Sequence, residues 1–276
     1  MLDFIIFSIF MIGLGIASYL DLKTTEVPDK FFYILIGIIS PFLILKYFQD
    51  FTFFKNSLLF GGLFSLLGLI FYKTGQWGGA DSFFLALIGF FFPSLSFSKT
   101  SIFPFPLSFL INLMFIGAVY MLIYSFFLTF KNKKFWKKFR FEIEKNLKLW
   151  IVFSVSLFFL TFFIFFQIFP VVQTFHFAFF ITFLFFSLLF LLKYAKLVEN
   201  LIFKRKIPVS KLKVGDMLAE IRELRGLTEV EVKQIKRTRK YVWIKEGIRF
   251  LPAFPLTFLF TVFFGEFFSL LLFPIF

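Results

Sequence analysis

Two aspartates open the chemical question. Asp21 closes the first apolar run of the chain, and Asp81 opens a later one behind Gly78-Gly79-Ala80. Ionisable side chains at the edge of a hydrocarbon layer are costly and are functional candidates by default. Each also has a bland reading. An Asp in the first turn of a helix is favoured by the helix dipole, which explains Asp81 without function. Asp21 lacks that explanation, because a carboxylate at a helix C-terminus is disfavoured. The small residues ahead of Asp81 permit a sharp turn and the close approach of another segment. Brought together, the two side chains suit peptide hydrolysis. Like charges a few ångströms apart cannot both ionise, so one carboxyl keeps a proton. The ionised partner then takes a proton from an attacking water while the protonated one donates to the carbonyl oxygen. No metal, thiol or cofactor is needed.

Other chemistries have little material here. There is no Cys and a single His, which excludes disulfides, thiolate metal sites and Cys nucleophiles. His176 and Gln173 fall in an apolar run toward the face opposite the aspartates and read as structural.

The elements that must hold Asp21 and Asp81 are membrane helices. The 276 residues are 59% hydrophobic, against about 45–50% in globular proteins, and the mean hydropathy is +0.89. The excess falls in runs of the length that crosses hydrocarbon. Eight spans are expected, near residues 4–20, 31–48, 56–72, 81–93, 105–130, 149–169, 174–192 and from 252 to the C-terminus. The first lacks a basic leader and a small-residue cleavage site and reads as a retained helix. The 56 Phe residues read as lipid-facing filler. Gly61, Gly62 and Gly68 fit close helix contact, and Asn112 reads as a midspan helix tie or a neighbour of the site.

Charge sets the orientation. With the N-terminus outside, 27 of the 30 Lys and Arg residues fall in loops 21–30, 73–80, 131–148 and 193–251. Only Lys46, Lys55 and Lys99 face out. The positive-inside rule therefore puts Asp21 and Asp81 together at the cytoplasmic face of a multi-pass protein. The net charge of +14 is assigned to membrane lipids rather than nucleic acid, since the basic residues flank spans.

The expected organisation is a five-helix core (1–130), a basic cytoplasmic loop plus two spans (131–192), a small α+β cytoplasmic module (193–251) and a last span (252–276). Within the module, a short β element is expected over Ile207–Leu218, turning at Gly215-Asp216. Thr228-Glu229-Val230-Glu231 is a capping box that opens a helix to about Lys240, and Tyr241–Ile244 reads as a strand.

With Asp21 in DLKTTEVPD and Asp81 in GGAD, the chain resembles the type IV prepilin peptidase family. The nearer likeness is to the archaeal branch that includes the preflagellin (pre-archaellin) peptidases. Phe103-Pro104, Ile111-Asn112 and the segment Trp243–Gly265 extend that likeness, while residues 135–195 read as a two-helix insertion. The resemblance implies a GxGD-type aspartic membrane protease with Asp21 and Asp81 as catalytic residues, supported by Gly78, Gly79 and Ala80. Ala80 stands where the family has Gly. The bacterial enzymes carry a Cys-rich domain and a methyl-transferring activity; without that domain, cleavage without N-methylation is expected. Leu251-Pro252-Ala253-Phe254-Pro255 is similar to the Pro-Ala-Leu segment of presenilin-like proteases. It also reads simply as a helix start with Pro in its first turn.

The implied partners are archaellin or pilin-like precursors, each with a short basic leader and a hydrophobic helix. The leader stays in the cytoplasm by the same charge rule, so the scissile bond lies level with the aspartates. Glu26 and Asp29 are candidates for attracting the leader's Lys or Arg; a solvated loop is the alternative. The competing class is a non-enzymatic transporter or scaffold with a lipid- or partner-binding module. A transporter would show midspan charges in paired repeats, and a scaffold has no need for the aspartates to approach.

Overall fold

A computed structural model describes residues 2–95, 103–221 and 226–267. The fold is that of a helical membrane protein. Six of its described helices are long and apolar enough to cross a bilayer. These are α1 (Leu2–Thr24), α2 (Asp29–Gln49), α3 (Phe51–Lys73), α5 (Phe105–Thr129), α6 (Lys133–Phe166) and α7 (Val171–Val198).

The fourth and eighth expected spans are shorter. α4 (Gly79–Phe91) has 13 residues and α9 (Ala253–Phe264) has 12. At 1.5 Å per residue each covers only about 20 Å of a roughly 30 Å hydrocarbon layer. α4 is largely enclosed by protein, with Phe84, Leu85 and Ile88 fully buried, whereas α9 buries one face through Phe254 and Phe258 and exposes Leu256, Phe263 and Phe264 on the other. The rest of the eighth expected span, from 268 onward, lies outside the described residues, as does Lys99.

The chain divides into two units. One comprises Met1–Ile123 and Lys206–Phe276, and the other Tyr124–Arg205. In the first, α1 and α2 run antiparallel, and Asp3 at the start of α1 pairs with Lys46 near the end of α2. Phe10 is the hub of the core. Its ring lies 5.0–6.0 Å from those of Phe84, Phe91, Phe92 and Phe258. Part of the Phe excess is thus packed aromatic core rather than lipid-facing filler, because tilted and edge-on ring pairs fill space between crossing helices.

α3 and α4 pack backbone to backbone. A Cβ at Gly68 would lie 2.7 Å from the Ser82 carbonyl oxygen, and one at Gly89 would lie 2.5 Å from that of Phe60. Gly62 faces open space instead, so of the glycines read as contacts Gly61 and Gly68 serve that role and Gly62 does not.

Asn112 ties α5 to the end of α9. Its amide donates to Thr261 Oγ1 (2.9 Å) and the Gly265 carbonyl (2.8 Å), and its Oδ1 accepts from Phe267 N–H at 2.9 Å. This is the helix tie of the two readings, since Asn112 is absent from the cavity described below. Asn112→Ala is expected to cost about 1–2 kcal/mol, given the typical worth of buried polar contacts between membrane helices. Thermal unfolding in detergent would register it as a lowered midpoint.

The soluble module of this unit is a three-stranded sheet of order β1-β3-β2, with β1 at Lys204–Pro208, β2 at Met217–Leu218 and β3 at Tyr241–Lys245. β2 and β3 are antiparallel, with Met217 opposite Lys245 and Leu218 opposite Ile244. Helix α8 (Glu229–Thr238) starts at the expected capping box. Thr228 Oγ1 accepts from Glu231 N–H, and the Glu231 carboxylate accepts from Thr228 N–H at 2.8 Å. Val209, Leu212, Leu218, Leu227, Val232 and Val242 form the module's own core.

The second unit is the α6–α7 hairpin. Residues 131–148, expected as a loop, are helical from Lys133. Asn132 caps the helix by accepting from Phe135 N–H at 3.0 Å. Phe135 and Phe139 are buried beside Tyr194, with ring centroids 5.6 and 5.7 Å away. Glu142 bonds Lys193 at 2.6 Å. That apolar stripe and the cross-hairpin ion pair keep α6 helical through its lysines. His176 and Gln173 are exposed on α7.

Candidate active site

Asp21 sits in the last turn of α1. Thr25 N–H, bonded to the Asp21 carbonyl at 2.9 Å, ends the helix. Thr25 itself has φ 62°, a left-handed conformation uncommon outside glycine. It turns the chain abruptly toward Glu26, Pro28 and the start of α2.

Asp21 is buried at 8% exposure, and its Oδ2 accepts from Leu251 N–H at 3.1 Å. Leu251 immediately precedes Pro252, the N-cap of α9. The carboxylate that is unfavourable at the end of its own helix is therefore received by a backbone donor at the start of another. Segment 249–251 is held in turn. Ser18 Oγ donates to the Leu251 carbonyl (3.4 Å), and Tyr120 Oη donates to that of Arg249 (3.0 Å). The Leu-Pro-Ala-Phe-Pro stretch is thus a helix start, and its first N–H reaches Asp21.

Asp81 lies in the first turn of α4 and is 7% exposed. Its Oδ2 accepts from Gly78 N–H at 3.1 Å. A Cβ at Gly78 would stand 3.2 Å from that oxygen, tighter than ordinary contact. Ala80 is half-buried against the core, with room for its methyl group.

The structure brings the sequence-derived candidates together. Asp21, Asp81, Gly78, Gly79, Ala80, Glu26 and Asp29 all line one cavity of about 920 Å³. The two aspartates are within electrostatic reach of each other, and Arg249 is within reach of Asp21. Apolar walls come from Phe32, Trp77, Met121 and Phe250. Trp77 and Phe250 are in ring contact at 5.7 Å, linking the α3–α4 loop to the start of α9. Two carboxyl groups within electrostatic reach of each other disfavour double ionisation, and a pair that keeps one proton is suited to acid–base hydrolysis. Among the described residues no group of three or more His, Cys, Asp or Glu is disposed to hold a metal ion.

Three features escape a sequence reading. Leu251 N–H and Arg249 lie some 230 positions from Asp21, and only the helix-start pattern at Pro252 hints at them. Glu266 is fully buried and accepts from Ser108 Oγ at 2.7 Å; a single acid in an apolar run was the available signal.

Residues 8–126 match the type IV leader peptidase family. The chain is also similar to the prepilin peptidase EppA of Methanothermobacter thermautotrophicus. The two are 25% identical over 132 residues, covering 43% of this chain and 34% of the relative. The chain thus spans about a third of that relative's length. No solved structure matches it.

Proposed function

We propose, from the match of residues 8–126 to the type IV leader peptidase family, that this chain is an aspartic endopeptidase of the membrane. Its substrates are archaellin or type IV pilin-like precursors, whose leaders it removes at the cytoplasmic boundary. The observation that carries this reading is the convergence of Asp21 and Asp81 in one cavity from helices 60 positions apart in sequence.

The chemistry runs on one shared proton. The ionised carboxylate accepts a proton from water as its oxygen attacks the scissile carbonyl carbon. The protonated carboxyl donates to the carbonyl oxygen, giving a neutral gem-diol. Return of a proton to the amide nitrogen breaks the C–N bond and frees a carboxylic acid and an amine. General acid and base groups of this kind each contribute about 10²–10⁴ in rate.

Substrate entry follows from charge. A basic leader remains on the cytoplasmic side, the side assigned to the α1–α2 loop, where Glu26 and Asp29 stand at the cavity wall.

The test is cleavage of a pilin-like or archaellin precursor by membranes carrying the chain, with the new N-terminus identified by mass spectrometry. No cleavage of any basic-leader precursor would overturn the reading. Activity is expected to persist undiminished in EDTA and after thiol-blocking reagents. A loss in EDTA that added divalent metal restores would indicate a metal-dependent hydrolase instead.

A further inference from the structure

The cavity is closed by a part of the chain that lies beyond the family-matched segment. Met217 of β2, Gly226, Gly247 and Ile248 belong to the soluble module and line the same space as Asp21 and Asp81. The family match ends at residue 126. The module meets the α1–α2 loop at close range through small residues. A Cβ at Gly247 would lie 3.3 Å from Thr25 Cβ and 3.1 Å from Met217 Cε, and one at Gly215 would lie 3.4 Å from Glu26 Oε1. A larger residue at 247 would press on Thr25 of the loop.

The charge of this enclosure is opposite to that of the protein. The chain carries 30 basic and 16 acidic residues. Four acidic residues, Asp21, Glu26, Asp29 and Asp81, line the cavity; Arg249 is within electrostatic reach of Asp21, but no Lys, Arg or His is among the described lining residues, so the lining stays net negative even with one proton on the aspartate pair. A space bounded by carboxylates on the loop and by apolar side chains on the module fits a cationic, extended peptide.

We infer that the module forms the roof of a leader-binding groove, with the basic leader passing between the Glu26–Asp29 loop and the Met217–Ile248 edge. The inference rests on the peptidase reading above. It makes Met217 a specificity-determining position outside the family-matched region.

The test uses the full-length chain in membranes and two precursors, one with its natural Lys/Arg leader and one with those residues changed to Gln. Met217→Lys and Met217→Glu place opposite charges at one position with similar bulk. Met217→Lys is expected to lower the ratio of basic-leader to Gln-leader cleavage about tenfold, chiefly through KM. Met217→Glu is expected to raise the ratio, as one unit charge several ångströms from another does at partial screening. An unchanged ratio in both variants would overturn the roof while leaving the peptidase reading intact. Failure of the wild-type chain to cleave either precursor would overturn the peptidase reading itself.

A second measurement needs no activity. The chain has no Cys, so Met217→Cys in an Asp81→Asn background carries one thiol. It is expected to form a disulfide with a Cys placed in the leader and not with one placed late in the mature segment. Absence of the leader disulfide would overturn the inference.

Discussion

Membranes carrying Asp21→Asn or Asp81→Asn are expected to cleave precursor at least about 10³-fold more slowly than wild type, since each substitution removes a group that must gain or lose a proton. The change is isosteric, so the packing around either position is preserved. An Asn at 21 still accepts from Leu251 N–H through its amide oxygen, and one at 81 still accepts from Gly78 N–H. Structure is thereby separated from chemistry. The double variant is expected to be no slower than either single one, because two groups that share one proton fail as a unit. Wild-type rates in either single variant, measured by precursor gel shift at matched protein level, would refute the dyad.

Gly68→Ala is expected to lower kcat by about 10²-fold, the scale on which a misplacement near 1 Å acts on catalysis. Gly68 faces the Ser82 carbonyl, one residue beyond Asp81, and an added Cβ would stand 2.7 Å from that oxygen. The obstacle is backbone in the first turn of α4, so it yields only if the helix start moves. The Asp81 carboxylate moves with it, away from Asp21. Gly62→Ala on the same helix meets nothing within 4 Å and is expected to retain wild-type kcat. Comparing kcat for the two variants isolates position from helix propensity. Equal rates for both would mean that α4 accommodates the methyl group without displacing the aspartate.

Much of this was legible in the sequence, for reasons that differ by element. The long spans were readable because apolar length is a property of contiguous residues. Helix α8 was readable because Thr228 and Glu231 satisfy each other locally, three positions apart. The meeting of Asp21 and Asp81 in one cavity is legible through topology, since the charge pattern of the loops assigns both to one side. Where partners are remote in sequence, the reading failed. Nothing near Asp21 announces Leu251, and nothing near Lys133–Lys148 announces that Tyr194 and Lys193 will hold a lysine-rich stretch helical. The place of the 193–251 module in the cavity wall depends on a Gly247–Thr25 approach that no local pattern encodes.

The brevity of α4 has a consequence for the lipid environment. A helix that stops well short of the bilayer's depth and whose flanks are covered by other helices has no acyl chains to match. When lipids thicken or thin, the long helices of its own unit, α1, α2, α3 and α5, tilt or draw the bilayer toward themselves to compensate. α4 rides inside that frame, and the residue at its tip keeps its station while the annulus around it adjusts.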